Sequence, residues 1–470
     1  MHEISPVWFT PFVALLLCIA LMPFIHLHWW EKHYSKVSVG LGLLTFGYYA
    51  LWVKNYERIE HTATEYVGFI ALVGSLFVVA GGIIIRVQGQ ARPIENVLFL
   101  AVGAVIANVI GTAGASILLI RPFLRMNKYR ITAFHIVFFI FIVSNVAGCL
   151  TPIGDPPLFL GYLKGIPFFW VAEHLWLIWL VGVGWLLALF FGFDILNFGQ
   201  APKTIRDHET PTRRWQIEGL RNFAFIAVIL VAVFITKPPF LREAIMVAAG
   251  AAGYFLTKKV LPHVHQDNQF NFAPLKEVAW LFVGIFATMM PVLDWLEHHS
   301  SQLGISSAGS FYWGAGGLSS VLDNAPTYLN FLSASVGLFV DPHHVQFIQQ
   351  WVQDGMKASL EGQPDAVVNT INALKQYHLD MLEIGRVPLS DIQVCYLIGN
   401  HQFNKYIVAV STGAVFFGSM TYIGNAPNFM VKSIAQHHKV QVPSFFGYVF
   451  KYSLPIVLPM LVLVWYVFFR

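Results

Sequence analysis

Apolar segments long enough to cross a lipid bilayer recur along almost the whole chain. A transmembrane helix needs about 20 predominantly apolar residues, and this chain of 470 residues is 56% hydrophobic and only 11% charged. Because about 25% of a soluble domain is charged, such a chain cannot cover a soluble surface. The pattern predicts an all-α polytopic membrane protein, with full spans near residues 7–30, 37–54, 64–86, 131–163, 168–193, 219–236, 243–261, 278–298, 391–433 and 444–469.

Two further apolar segments, 97–120 and 309–340, are interrupted near their centres by Gly, Ser, Thr, Asp or Asn. We expect both to be re-entrant hairpins that enter and leave on one side of the membrane. The basic loops 121–130 and 194–221 then share one side, which the positive-inside rule assigns to the cytoplasm. The acidic stretch 341–390 and both termini are expected outside, with the protein in the inner (plasma) membrane of the cell.

These segments predict two halves joined by a charged linker. The expected organisation is an N-terminal transmembrane helix at 1–36, a first repeat at 37–193, a cytoplasmic linker at 194–218 and a second repeat at 219–470. Each repeat is expected to contain one hairpin and one broken transmembrane helix. In the first repeat the hairpin is at 97–120 and the broken helix at 131–163. In the second repeat the hairpin is at 309–340, the external loop at 341–390 and the broken helix at 391–433.

A short motif occurs twice, as TPIGDPPLF at 151–159 and as TYIGNAPNF at 421–429. The two copies lie 270 residues apart. A weaker echo joins the two hairpins, NVIGTAGAS at 108–116 and SVLDNAPTY at 320–328. Since the first hairpin opens inwards and the second outwards, the two halves are expected to have inverted topology. The matched positions are Thr151/Thr421, Ile153/Ile423, Gly154/Gly424, Asp155/Asn425, Pro157/Pro427 and Phe159/Phe429.

The repeated motif interrupts an apolar helix at membrane depth. Gly154 and Gly424 permit a turn, and Pro157 and Pro427 lack the amide donors of a continuous helix. Non-helical backbone is tolerated there only where it is buried in protein or lines a cavity. Paired broken helices in inverted repeats indicate the midplane site of a secondary transporter. Freed carbonyls suit a small cation, whereas half-helix N-termini favour an anion. A kink that only shapes packing is the alternative.

Two acidic residues, Asp155 and Asp323, fall inside these interrupted segments. An intramembrane acid is costly and by default indicates a functional site. Because desolvation opposes ionisation of a carboxylate, a proton and a cation can compete for it, which is sufficient for antiport. The alternative is an acid that caps the N-terminus of a half-helix. We take Asp155, Asp323, Asn324 and Asn425 as candidate Na⁺ ligands.

Further polar and glycine residues of the same segments complete the predicted ion- or substrate-binding set. Thr151, Asn324, Thr421 and Asn425 are the preferred ligands beside the acids. Interhelical hydrogen bonding is the alternative role for some of the others. No cofactor is expected, since Na⁺ (or Li⁺) and H⁺ are transported ions. The remaining members of the set are Asn108, Thr112, Ser116, Asn145, Gly154, Gly424, Thr327 and Asn428.

A basic residue, Arg121, directly follows the first hairpin. It could attract a carboxylate substrate, but membership of the basic inner loop also accounts for it.

The segments SNVAGCLTPIGDPPLFLGYLKGIPFFW and VLDNAPT resemble the ion transporter superfamily. The resemblance is greatest to the branch of NhaD-type sodium/proton antiporters and citrate-transporter-like proteins. It implies a homodimer with a scaffold part and a moving transport part, and an elevator-type alternating-access motion. It also implies that both hairpin tips and both broken helices form the site. Dicarboxylate carriers of the superfamily carry Ser-Asn-Thr tips, whereas this chain has GTAGAS and LDNAPT.

We therefore expect a sodium(lithium)/proton antiporter, with Na⁺- or H⁺-coupled transport of citrate or a dicarboxylate as the alternative. The expected partners are a monovalent cation, the proton, membrane lipid and a second copy of the chain, with a di- or tricarboxylate in the alternative. A membrane enzyme or receptor would need a nucleophile–base set or a soluble domain, and the sequence indicates neither. Nucleic acid is not expected, because no basic tract is interleaved with aromatics. No Walker A motif is present, so ion gradients must drive transport.

Overall fold

The protein is an all-α polytopic membrane protein, as the apolar pattern predicts. The computed structural model describes residues 4–86, 91–200, 216–235, 238–299, 302, 304–357 and 359–470. Over these residues eight helical segments are long and apolar enough to cross a membrane. They are Pro6–Pro23, His28–Val53, Tyr56–Gly81, Pro93–Met126, Ala133–Leu150, Phe168–Gln200, Ala273–His299 and Phe445–Phe468.

Among the described residues, the first half of the chain contains seven α-helices and the first strand of a short ribbon. A π-helical turn at Tyr49–Val53 follows the second helix. The strand β1 (Ile84–Arg86) pairs antiparallel with β2 (Gln216–Glu218), so that Ile85 lies opposite Ile217. The helices are α1 Thr10–Ile25, α2 Leu27–Tyr48, α3 Tyr56–Gly81, α4 Pro93–Met126, α5 Ala133–Ile142, α6 Pro156–Leu163 and α7 Phe168–Gln200.

The second half adds fourteen described helices, several of them short. A π-helical stretch at Val449–Val457 joins the last two into one long segment. The helices are α8 Arg221–Ala232, α9 Leu241–Val260, α10 Pro262–Asp267, α11 Ala273–His299, α12 Ala308–Ser319, α13 Asn324–Phe339, α14 Pro342–Gln353, α15 Asp365–Tyr377, α16 Leu379–Glu383, α17 Leu389–Gly399, α18 Asn404–Phe417, α19 Ala426–His437, α20 Phe445–Tyr448 and α21 Leu458–Phe468.

The N-terminal segments break earlier than the expected spans 7–30 and 37–54. His26 leaves the helical region (φ −147°, ψ 66°), so that α1 ends before it and α2 begins after it. The ring of Trp8 stacks on that of Tyr48 with centroids 3.8 Å apart. The start of α1 therefore lies beside the end of α2, and the two helices are antiparallel.

The segment α4 is a helical hairpin rather than one straight helix. Gly111 has φ 78° and ψ 156°, a conformation that favours glycine. At the open end the amides of Asn96 and Asn127 exchange hydrogen bonds of 2.8 and 2.9 Å. A Cβ placed on Gly103 would lie 3.1 Å from Leu119 Cδ1, so the two arms are in contact. We call α4 hairpin 1.

Helices α12 and α13 form a second hairpin, which turns between Ser319 and Asn324. The rings of Phe311 and Phe331 lie 6.0 Å apart across the two arms. A Cβ on Gly314 would lie 2.9 Å from the Phe331 ring. We call this pair hairpin 2.

Two helices are interrupted, and their breaks have matching backbone conformations. Interrupted helix 1 runs from α5 through a 3₁₀ turn to α6, and interrupted helix 2 runs from α18 through a 3₁₀ turn to α19. Thr151 (φ −135°, ψ 154°) and Thr421 (φ −138°, ψ 166°) are both extended. Asp155 (φ −143°, ψ 145°) and Asn425 (φ −154°, ψ 139°) are extended as well. The 270-residue correspondence in sequence therefore extends to local structure.

The open ends of the two hairpins lie at opposite ends of α3. Hairpin 1 is closed near the end of α3, where the side chain of Arg130 donates to the carbonyl of Ala91 at 3.1 Å. At the other end, Arg58 near the start of α3 pairs with Glu297 at 3.7 Å. Gly337, close to the end of hairpin 2, lies against the backbone of Glu297. The orientation in the membrane and the inverted topology stay predictions.

The loop predicted at 121–130 is partly helical. Hairpin 1 extends to Met126, so Arg121 and Arg125 belong to its second arm. In the predicted linker, Pro202, Lys203, Arg206, Pro211, Arg213 and Arg214 lie outside the described residues.

Candidate functional site

The carboxylate of Asp155 is the point at which both hairpins and both interrupted helices meet. Asp155 itself belongs to interrupted helix 1 and is fully buried. Thr112 Oγ1 of hairpin 1 donates to its Oδ1 at 2.8 Å, and Asn425 Nδ2 of interrupted helix 2 donates to the same oxygen at 3.0 Å. Asn324 Nδ2, at the tip of hairpin 2, donates to Oδ2 at 2.5 Å. Asp155 and Asn425, which correspond in the repeat, therefore contact each other directly.

The partners of Asp155 are all electrically neutral. Of the five buried acidic side chains among the described residues, the other four each lie beside a basic group. Among the described residues Asp155 has hydroxyl and amide donors only, so none of their charges compensates its own. The four compensated pairs are Glu65–Lys164 at 2.7 Å, Asp194–His135 at 3.0 Å with Arg130 also bound, Glu243–Arg242 at 2.6 Å and Asp391–His378 at 3.7 Å.

Two carbonyl oxygens of buried amides near this carboxylate accept no hydrogen bond from the part of the chain that the structure describes. They are Oδ1 of Asn324 and Oδ1 of Asn145. The first belongs to the same amide group that donates to Asp155. The second follows Ser144, whose carbonyl accepts from Asn425 at 3.2 Å. Buried polar atoms are rarely left without a partner, and unpaired oxygens beside a carboxylate suit a hard cation.

The two motif threonines hold each break against a hairpin tip in the same way. Thr151 Oγ1 donates to the carbonyl of Asn108 in hairpin 1 at 2.6 Å and accepts from the amide of Gly154 at 3.1 Å. Thr421 Oγ1 donates to the carbonyl of Ser320 at the tip of hairpin 2 at 2.6 Å. It also accepts from the amide of Gly424 at 3.1 Å. Both threonines, predicted as ligands, position the backbone here.

The motif glycines allow two backbone segments to approach closely. A Cβ on Gly154 would lie 2.3 Å from the carbonyl oxygen of Gly148, and one on Gly424 would lie 2.7 Å from that of Gly418. Gly148 and Gly418 also correspond at the 270-residue spacing, a signal in the sequence that the motif comparison missed. The carbonyl of Gly154 accepts from the amide of Thr112 at 2.8 Å, which ties the first break to hairpin 1.

Three predicted asparagines form the support behind the site. Asn108 Nδ2 donates to the carbonyls of Ala104 and Ala147 at 2.9 and 2.7 Å, and its Oδ1 accepts from the Leu150 amide at 2.9 Å. Asn145 Nδ2 donates to Oδ1 of Asn428 at 2.6 Å. Asn428 in turn donates to the carbonyls of Gly418 and Thr421 at 2.8 and 2.9 Å.

The remaining predicted residues hydrogen-bond elsewhere than to Asp155. Asp323 Oδ1 accepts from the amide of Ala325 at 3.1 Å, so this acid caps α13. Thr327 Oγ1 donates to the carbonyl of Asp323 at 3.1 Å. Ser116 hydrogen-bonds to Ser144 at 2.7 Å. Ser144 was not predicted; it lies just before Asn145, outside the interrupted motif, and no local pattern marks it.

Comparison with known proteins assigns the chain to one family. A search of the curated proteins found no match. The profile of the CitMHS_2 family, described as "Putative citrate transport", matches residues 1–469. Since the match covers nearly the whole chain, the protein belongs to the CitMHS_2 family.

Proposed function

We propose that the protein is a secondary active transporter that exchanges Na⁺ or Li⁺ for protons at Asp155. The family supports secondary transport. The single observation that carries the exchange is that Asp155 is buried among neutral donors only. An uncompensated buried charge is strongly unfavourable, so the carboxylate needs either a proton or a cation.

Competition between these two partners supplies the coupling. When the proton is bound, the carboxyl group is neutral and a cation gains little by entering. When the proton leaves, the carboxylate and the unpaired Oδ1 of Asn324 offer oxygen ligands to the cation. Asn425 and Thr112 hold the carboxylate in place in both states. If the carboxylate binds either a proton or a cation, but never both together, this competition is sufficient for antiport.

Alternating access requires that this site move or open to each side in turn. We propose an elevator-type motion of the part that contains both hairpins and both interrupted helices. A homodimer with a fixed scaffold fits this motion and is part of the same proposal.

Proteoliposomes with a trapped pH dye test the exchange. Addition of Na⁺ or Li⁺ to wild-type vesicles should move protons, and Asp155→Asn should abolish the movement because asparagine binds neither ion as a carboxylate does. Asp354→Asn is the matched control, since the same change there affects an exposed side chain. Proton movement that persists in Asp155→Asn would contradict exchange at this carboxylate.

The description of the family favours a second candidate, cation-coupled transport of citrate or a dicarboxylate. A carboxylate substrate would be repelled by an ionised Asp155 unless a cation lay between them. Uptake of labelled citrate, measured in the same vesicles, separates the two candidates. Citrate uptake without Na⁺-evoked proton movement would favour this second function over antiport.

A further inference from the structure

A buried arginine in hairpin 1 has one nitrogen that makes no hydrogen bond to the described residues. Arg121 is only 6% exposed, and its Nε is fully buried without a hydrogen bond. The other buried arginine of the described residues, Arg130, binds both oxygens of Asp194. No acidic side chain pairs with Arg121 in the part of the chain that the structure describes. Membership of a solvated basic loop therefore does not account for this residue.

The residue one turn before Arg121 packs between hairpin 1, α3 and α19. One turn earlier on the same face of hairpin 1, Ile117 packs against Phe77 and Val78 of α3, with Met430 of α19 beside them. One turn later, Arg125 is exposed. The same helical face therefore leads from a charged residue at the surface to a buried guanidinium, because positions four apart lie above one another.

The chemistry of this pair favours an oxyanion. A guanidinium presents donors in a planar fork that matches carboxylate and phosphate oxygens. A buried donor that is left without a hydrogen bond is costly, and an oxyanion bound to the guanidinium would supply an acceptor. Arg125 adds positive potential at the mouth, which raises the local concentration of anions.

We infer that Arg121 and Arg125 form a binding site for a carboxylate or phosphate oxyanion between hairpin 1, α3 and α19. The oxyanion comes either from a soluble ion or from a lipid headgroup. The inference does not depend on exchange at Asp155, because it concerns binding at a different group.

Thermal unfolding of the full chain in nanodiscs tests this site. In discs of phosphatidylcholine, citrate, succinate or inorganic phosphate is added and compared with chloride at the same ionic strength. In a second series, phosphatidylglycerol replaces part of the lipid. An oxyanion-dependent rise in Tm in the first series indicates a soluble ligand, and a rise only in the second indicates a headgroup. Either result supports the site.

Variants decide whether Arg121 is responsible. Arg121→Gln should lose the oxyanion-dependent rise in Tm, whatever its Tm without ligand. Arg121→Lys keeps the charge but not the fork, so its affinity should fall about tenfold while binding remains, which keeps the test valid if the Gln variant does not fold. Arg125→Gln should weaken binding less. No rise with any oxyanion or lipid, or an undiminished rise in Arg121→Gln, would overturn the inference. The same assay on Asp354→Asn, a change at an exposed side chain, should give the wild-type response.

Discussion

At the scale of single residues, burial alone does not identify the functional acid. Asp155 and Asp194 are both fully buried. Asp194 binds Arg130, His135 and Asn96, so its charge is compensated within the protein. Asp155 has only neutral donors. The difference in partners, rather than in depth, makes one acid structural and the other a candidate for ion exchange.

Substitution of Asp323 tests whether this acid couples ions or caps a helix. Asparagine is as good an N-cap as aspartate, whereas alanine costs about 1 kcal/mol. Because Asp323 caps α13, Asp323→Asn should keep both Tm and exchange, and Asp323→Ala should lower Tm. Exchange is measured in proteoliposomes and Tm in detergent. If Asp323→Asn loses exchange at an unchanged Tm, the acid takes part in coupling, as its prediction as a candidate Na⁺ ligand implies.

Substitution of Gly154 tests the close approach of the backbone at the break. A Cβ there would lie 2.3 Å from the carbonyl of Gly148, so the backbone must move. Gly154→Ala should therefore lower Tm and reduce exchange at least tenfold. Gly317→Ala is the control, since a Cβ at this exposed position of α12 meets nothing within 4 Å, and alanine favours a helix. Equal Tm values for the two variants would contradict the close approach.

At the scale of elements, the two hairpins are fastened differently at their open ends. In hairpin 1 the amides of Asn96 and Asn127 pair, and Asn96 also donates to Asp194 of α7 at 2.8 Å. Arg130 joins Asp194 to the chain before the hairpin. Hairpin 2 is closed by aromatic packing, with the ring of Phe339 6.0 Å from that of Phe311 in the other arm and 4.1 Å from that of Tyr406 in α18. Hairpin 1 is therefore fastened by buried charged hydrogen bonds, and hairpin 2 by ring contacts.

Removal of Arg130 should destabilise the open end of hairpin 1 strongly. Arg130→Met leaves Asp194 buried without its guanidinium, a change that typically costs about 3–5 kcal/mol. Arg86→Met is the control, because Arg86 also binds two acids but is 37% exposed. Exposed ion pairs contribute about 1 kcal/mol or less. Denaturation in matched detergent should show the larger loss for Arg130→Met, and similar losses would contradict a structural role for the buried network.

At the scale of the whole molecule, the sequence predicts what depends on local pattern. The apolar segments, the break at Gly111 and the repeated motif all follow from residues close together in the chain. The pairings between side chains that are distant in sequence do not follow from such local patterns. Arg121 and Arg130 are both read as cations of an inner loop, yet one is buried alone and the other is bound to Asp194. The different surroundings of the two arginines depend on how distant helices pack, and no spacing in the sequence encodes that packing.

Phe9, near the start of the described residues, and Phe469, near their end, lie at the same end of the molecule. The ring of Phe9 contacts that of Trp295 at 5.5 Å, and Trp295 precedes Glu297 at the end of α11. Near the C-terminus, the ring of Phe469 lies 4.9 Å from that of Tyr312 in hairpin 2. Since Gly337 of hairpin 2 packs against Glu297, these contacts belong to one end.

Single cysteines at the two ends test the predicted orientation. The native Cys149 and Cys395 are buried, and Cys18→Ser removes the third thiol. In spheroplasts, an impermeant maleimide should label Ser5→Cys and Arg470→Cys, because the positive-inside rule places both termini outside. Gly199→Cys, exposed near the end of α7 and close to the network around Asp194, should react only after permeabilisation. The reverse labelling pattern would mean that the protein has the opposite orientation in the membrane with the same fold. Labelling of only one terminus from outside would contradict the location of both termini at one end of the molecule. It would also contradict the prediction that each hairpin enters and leaves on the same side of the membrane.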